Sequence, residues 1–159
     1  MKYFETFKEW LYRKRNIQSL PLIATLAEAT YVINPKFILV DDYVFLDCGN
    51  ENLHSYASTE QTDSEKIEIE ALENHVHLFE GVKKRFRKDV KKISVSIAKN
   101  LSEHLKAKFP NREFVVLLEL NYKDSVIVRF HQIRKNEDLY MDPKYFKDEY
   151  ESGFFMLFR

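Results

Sequence analysis

Residues 63–108 read DSEKIEIEALENHVHLFEGVKKRFRKDVKKISVSIAKNLSEHLKAK. Along them Ile69, Leu72, Val76, Phe79, Val82, Phe86, Val90, Ile93, Ile97, Leu101 and Leu105 recur at steps of three or four. That spacing gathers apolar side chains on one face of an α-helix. A single helix here would run about forty residues, far beyond the usual three or four turns. Gly81 is the natural break, so the pattern predicts two helices, or one sharply bent one. The first opens at Asp63 or Ser64 with acids in its first turn, and the second ends near Phe109-Pro110.

The same stretch carries a charge seam. Glu60, Asp63, Glu65, Glu68, Glu70, Glu73 and Glu80 stand against the single base Lys66. Lys83, Lys84, Arg85, Arg87, Lys88, Lys91 and Lys92 then stand against the single acid Asp89. The 25 basic and 25 acidic residues of the whole chain cancel. No global field therefore steers it to nucleic acid or to an anionic membrane, and any such attraction is local.

Working outward, Phe4, Phe7 and Leu11 predict a helix over residues 2–15. Ser19 caps a second helix with Pro21 in its first turn, buried through Leu22, Ile23, Leu26 and Val32 and ended by Asn34-Pro35. The period then changes to two. Phe37 to Val40 and Tyr43 to Asp47 predict strands joined at Asp41-Asp42, with Val40 opposite Tyr43 and Ile38 opposite Phe45. Cys48 to Thr62 is polar and is expected to be a long loop, a candidate lid.

Beyond the central stretch, Glu113 to Leu120 and Ser125 to Gln132 predict a second hairpin, joined across residues 121–124. The apolar run Phe154 to Phe158 is expected to close the chain as an interior strand. The fold predicted is α+β: a single domain over 1–159, with an antiparallel or mixed sheet of about five strands and about four helices.

Composition agrees. Hydrophobic residues at 45% and aromatics at 14% supply a core for 159 residues. Cys48 is the only cysteine and no hydrophobic leader follows Met1, which predicts a cytoplasmic protein without disulfides. The apolar stretch 17–33 contains Gln18, Pro21 and Glu28 and falls short of the roughly 20 residues a spanning helix needs. No membrane association is expected.

Three glycines, at 49, 81 and 153, leave no GxGxxG and no GxxxxGK[ST], and the chain has no GxSxG, HExxH or CxxC. Nucleotide-dependent, metalloprotease and esterase chemistries in their familiar sequence forms are excluded, and no cofactor is expected.

The candidate catalytic residues are Asp47, Glu68, His75 and His77. On a strand, His75 and His77 would share a face and could bind one metal ion. On the helix that the stripe predicts they point about 200° apart, so no metal site is expected. Glu68 falls beside Ile69 and Leu72 on the predicted arc, where burial would be costly unless the carboxylate is paired or protonated; the favoured placement is the exposed first turn of the helix. Asp47 and Cys48 lie at a strand end, near the turn residues Asp41 and Asp42. Arg129 and His131 share one face of the second hairpin, expected opposite Val116 and Phe114, with Glu137 as a candidate partner.

The basic run places Lys84, Arg87, Lys88 and Lys91 opposite Val82, Phe86, Val90 and Ile93, making them the candidate binding residues. The leading expectation is a non-catalytic module that binds another protein, of inhibitor or immunity type. One alternative is a small hydrolase with a His/Asp site. The other is a nucleic-acid binder acting through the basic helix 83–92, which the missing exposed aromatics disfavour.

Overall fold

The computed structural model describes residues 29–50, 52–58, 60–79, 87–121 and 125–159. The helix expected over 2–15 and most of the Ser19-capped helix fall outside them. Residues 29–33 are the end of a helix, with Ala29 and Val32 buried. Asn100 Nδ2 donates to the last-turn carbonyl of Ile33 at 2.8 Å, which satisfies a group that helix ends leave open. Strands β1 (Phe37–Val40) and β2 (Tyr43–Leu46) then pair in the expected register, Val40 opposite Tyr43 and Ile38 opposite Phe45. Asp41 sits in the turn at φ 50°, a left-handed conformation that aspartate tolerates better than bulkier residues.

The polar stretch after β2, expected as a long loop, carries regular structure. It contains a 3-10 helix, Leu53–Ser58, that is packed down on the hairpin. Leu53 is buried against Val40, Tyr43 and Phe45, and the Tyr56 ring centre lies 5.7 Å from that of Phe45.

Helix α1 (Asp63–Glu73) opens with a capping box: the Thr62 hydroxyl accepts from the Glu65 amide, and the Glu65 carboxylate accepts from the Thr62 amide. Such a box is a strong local start signal. The helix stops at Asn74 and is followed by strand β3 (His75–Leu78), where the stripe predicted continuous helix. Val76 and Leu78 are buried while His75 and His77 are exposed, a strict alternation over four residues. Val76 satisfies both periods, which let the helical stripe run through the segment. Phe79, at φ 55°, ends the strand. Gly81 and the rest of 80–86 fall outside the described residues.

The buried side of α1 is Ile67, Glu70 and Ala71, continued by Asn74. Leu72 is 47% exposed, and Glu68 is exposed as well. The predicted arc was therefore rotated, because two of the buried positions are polar.

Helix α2 (Arg87–Lys108) keeps the expected line of Val90, Ile97, Leu101 and Leu105, with Ile93 left exposed. Ser94, Ala98 and Ser102 are buried between them, and their small size lets the helix approach the sheet closely.

Strands β4 (Phe114–Asn121) and β5 (Ser125–Gln132), the short helix α3 (Lys147–Glu151) and strand β6 (Phe155–Phe158) complete the described elements. The larger sheet is antiparallel in the order β3-β5-β4-β6, so the fold is α+β, with six strands in two sheets among the described residues. Among the described residues the closing segment is an edge strand and not the interior one expected. Both its faces still meet protein: Phe155 packs on Phe146, Tyr150 and Phe154, and Met156 and Phe158 pack against the core.

One register correction matters for the site. Asn121 pairs with Ser125, so Arg129 lies opposite Leu117, and His131 opposite Val115, in place of Val116 and Phe114. A one-residue slip exchanges the two faces of a strand. Val76, Leu78, Val116, Leu118, Val126, Val128 and Phe130 accordingly form one apolar core with the buried side of α2. His75, His77, Ser125, Arg129, His131 and Glu119 share the opposite face. No helix among the described residues is long and apolar enough to cross a membrane.

Candidate functional site

The buried polar residues of α1 join the two sheets. In the β1-β2 hairpin, Tyr43 and Phe45 pair inward, which leaves Val44 and Leu46 with outward backbone groups. Glu70 Oε1 accepts from the Val44 amide at 3.0 Å. Asn74 Oδ1 accepts from the Leu46 amide at 2.7 Å, while its Nδ2 donates to the Val44 carbonyl at 2.8 Å. On the other side, Glu70 Oε2 accepts from the Gln132 amide at 2.8 Å, and the Asn74 carbonyl accepts from the Phe130 amide at 3.3 Å. Two side chains one turn apart thus take the place of a missing strand between β2 and β5. Glu70 is fully buried, and desolvation raises its carboxyl above the usual range against the pull of its donors and of Arg134.

Around this bridge lies a charged cluster. Arg134, buried, pairs with Asp42, and its guanidinium lies 3.7 Å from both Asp63 and Glu70. Asp42 also meets Arg112 at 3.7 Å and Lys66 at 3.8 Å. Gln132 Nε2 donates to Glu70 at 2.6 Å and to the Asp42 carbonyl at 2.6 Å. Every carboxylate here has a basic or amide partner fixed by the fold, which suits a structural joint and not a proton carrier.

His131 is buried beside it. The Tyr140 amide donates to its Nε2 at 3.2 Å, so its proton sits on Nδ1 and is donated to the Gln132 carbonyl at 2.8 Å. Desolvation, with help from Arg134, lowers its pKa to about 4, so the ring is neutral at pH 7. Arg129 lies 3.5 Å from Glu119 and stacks over Tyr140, with the guanidinium carbon 5.3 Å from the ring centre. Its carboxylate partner is Glu119, not Glu137. Both residues are buried and held by partners within the fold.

The remaining sequence candidates do not converge on a single site. Asp47 and Cys48 are exposed at the end of β2, and partial burial of its sulfur together with Asp47 pushes the Cys48 thiol up to about 11. That leaves almost no thiolate at neutral pH. Glu68 faces solvent. His75 and His77 are brought together, with ring centres 5.2 Å apart. Among the described residues no group of three or more His, Cys, Asp or Glu is placed to hold a metal ion.

The acidic half of the charge seam is largely used inside the fold. Glu65 caps α1, Glu70 bridges the sheets, and Asp63 lies near Arg134. Glu73 accepts from Asn50 at 2.7 Å and from Tyr56 at 2.6 Å, which ties the 3-10 helix to α1 and pushes the Tyr56 hydroxyl up to about 12.

The basic half is different. Lys88, Lys91, Lys92 and Lys99 are exposed on α2, and no ion pair reaches them among the described residues. At 100° per residue Lys88, Lys92 and Lys99 fall on one line along the helix, spanning about 16 Å. Lys106 continues the line but is paired with Glu103 at 2.7 Å. Of the expected binding residues, Lys84 lies outside the described residues and Arg87 is only half exposed, with its Nε buried. Lys88 and Lys91 are exposed as expected. Lys92 and Lys99 were missed as part of the same stripe, although their spacing of seven was readable.

These features define an α+β protein with a structural polar joint and a basic helix face that carries no ion pair at Lys88, Lys91, Lys92 or Lys99 among the described residues. The chain belongs to the uncharacterised protein PM0498 family, whose model matches residues 5–156. No curated protein and no solved structure matches it.

Proposed function

We propose that this protein is a non-catalytic binding module of inhibitor or immunity type, which docks an acidic protein surface on the lysine stripe of α2. The observation that carries the reading is the asymmetry of the seam: its acids are largely engaged internally, whereas Lys88, Lys91, Lys92 and Lys99 are exposed without an ion pair among the described residues. Like charges at i and i+4, as in Lys88 and Lys92, repel by a few tenths of a kcal/mol, a cost that an acidic partner reverses. A protein partner is favoured over nucleic acid because α2 contains no Phe, Tyr or Trp to stack on bases.

The test is Lys88→Glu, Lys92→Glu and Lys99→Glu combined, a change confined to exposed positions. The variant should keep its circular dichroism spectrum and melting curve. Pull-downs from the native host, with cross-linking to locate the contact, should recover a specific protein with wild type at low salt. That protein should be lost at high salt and with the variant, because exposed charges are screened beyond about 8 Å at physiological ionic strength. An identical set of bound proteins in all conditions would sink the proposal. Salt-sensitive retention of RNA or DNA in place of a protein would select the nucleic-acid reading.

A further inference from the structure

The strand assignment of 75–78 reopens the histidine pair. His75 and His77 project from the same face of β3, an edge strand among the described residues, and both are exposed. Each ring is oriented through its Nδ1. The His75 Nδ1 contacts the Leu72 carbonyl, which can only accept, so that nitrogen carries the proton and Nε2 keeps its lone pair. The His77 Nδ1 lies 2.8 Å from the hydroxyl of Ser125, a buried residue on the neighbouring strand β5. Donation from Nδ1–H to that oxygen leaves the second Nε2 free in the same way. A metal-binding histidine characteristically has its other ring nitrogen fixed by a carbonyl or other polar partner.

The separation of the rings is also right. With a metal–nitrogen bond of about 2.0–2.1 Å, an imidazole centre lies about 3.2 Å from its ion, so two imidazoles on a tetrahedral ion have centres about 5.2 Å apart. The observed distance is 5.2 Å.

We propose that His75 and His77 form a bidentate imidazole site for a divalent transition-metal ion, with Ser125 as a positioning residue. The absence of a third His, Cys, Asp or Glu ligand among the described residues leaves the other coordination positions to water or to an external donor. Imidazole nitrogen suits copper, nickel and zinc, and Cu²⁺ binds most tightly in the divalent series. The cationic neighbour Arg129, opposite His75 in the sheet, is balanced by Glu119 and Tyr140 on that face.

The experiment uses the full chain without an affinity tag, stripped with chelator and titrated calorimetrically with Cu²⁺ and Zn²⁺, with electron paramagnetic resonance on the copper form. Wild type should bind one equivalent of Cu²⁺ with two-nitrogen hyperfine structure. His75→Ala and His77→Gln, the latter keeping a partner for Ser125, should each weaken binding by at least about tenfold, as loss of an outer partner alone costs about 10–100-fold. Ser125→Ala should weaken it by about tenfold on the same ground. His54→Ala and His104→Ala, at other exposed histidines, should change nothing. Equal affinity in wild type and in a His75→Ala/His77→Gln double variant, or no stoichiometric binding by wild type, would overturn the proposal.

Discussion

Replacing Glu70 with alanine tests the joint between the two sheets. The change strands two backbone donors, Val44 N–H at 3.0 Å and Gln132 N–H at 2.8 Å from the carboxylate. The Gln132 side chain keeps its bond to the Asp42 carbonyl and is not counted. A buried donor left without an acceptor costs about 1–3 kcal/mol, so the two together cost about 4 kcal/mol. Removing a desolvated carboxylate returns part of that, which leaves a net loss of about 2–4 out of the usual 5–15 kcal/mol. Glu70→Gln keeps the shape and one acceptor but turns an amide N–H toward a donor, and should lose about half as much. Urea unfolding followed by circular dichroism measures both, and hydrogen exchange at Val44 and Gln132 locates the effect.

The wild-type pH dependence gives a second readout of the same site. Glu70 has a raised native pKa, so between its unfolded and native values the folded chain holds more protons. Its contribution to stability therefore falls as pH rises through that window, and Glu70→Gln removes this fall. A Glu70→Ala protein within 0.5 kcal/mol of wild type (roughly the scatter of surface substitutions), with unchanged protection at both amides, would refute the bridging role.

The other predictions concern His131 and β6. His131, neutral and lowered to about 4, is protonated more readily in the unfolded chain, whose histidine titrates near 6.5. Stability should be full above about pH 6.5 and fall by about 3 kcal/mol as pH drops toward 4; His131→Asn should flatten that slope, and a persistent slope would assign it elsewhere. Truncation after Ser152 removes β6, including buried Phe155 and its pairing with β4. It should lower stability by at least about 3 kcal/mol, the usual minimum for deleting a large buried aromatic, and unchanged melting would make the segment a detachable tail. The lysine reversal and the metal titration complete the set, and both leave the core intact.

Local pattern was enough for much of this molecule. The first hairpin, its turn and its register follow from alternating apolar residues around Asp41-Asp42. The buried line Val90, Ile97, Leu101 and Leu105 follows from helical spacing, and the α+β class follows from the succession of the two periods. Three things did not follow. The segment 75–78 is too short for its period to be decided by its own residues, and it is a strand because β5 offers Val126 to Arg129 as partners. The facing of Arg129 and His131 turned on a one-residue difference in where the hairpin connection begins. Above all, α1 turns inward on Glu70 and Asn74, which hydrophobic periodicity counts as solvent-facing. Their partners Val44, Leu46 and Gln132 lie 26 to 62 residues away. A buried carboxylate is tolerated only where distant backbone donors converge on it, and only the tertiary structure brings those donors together.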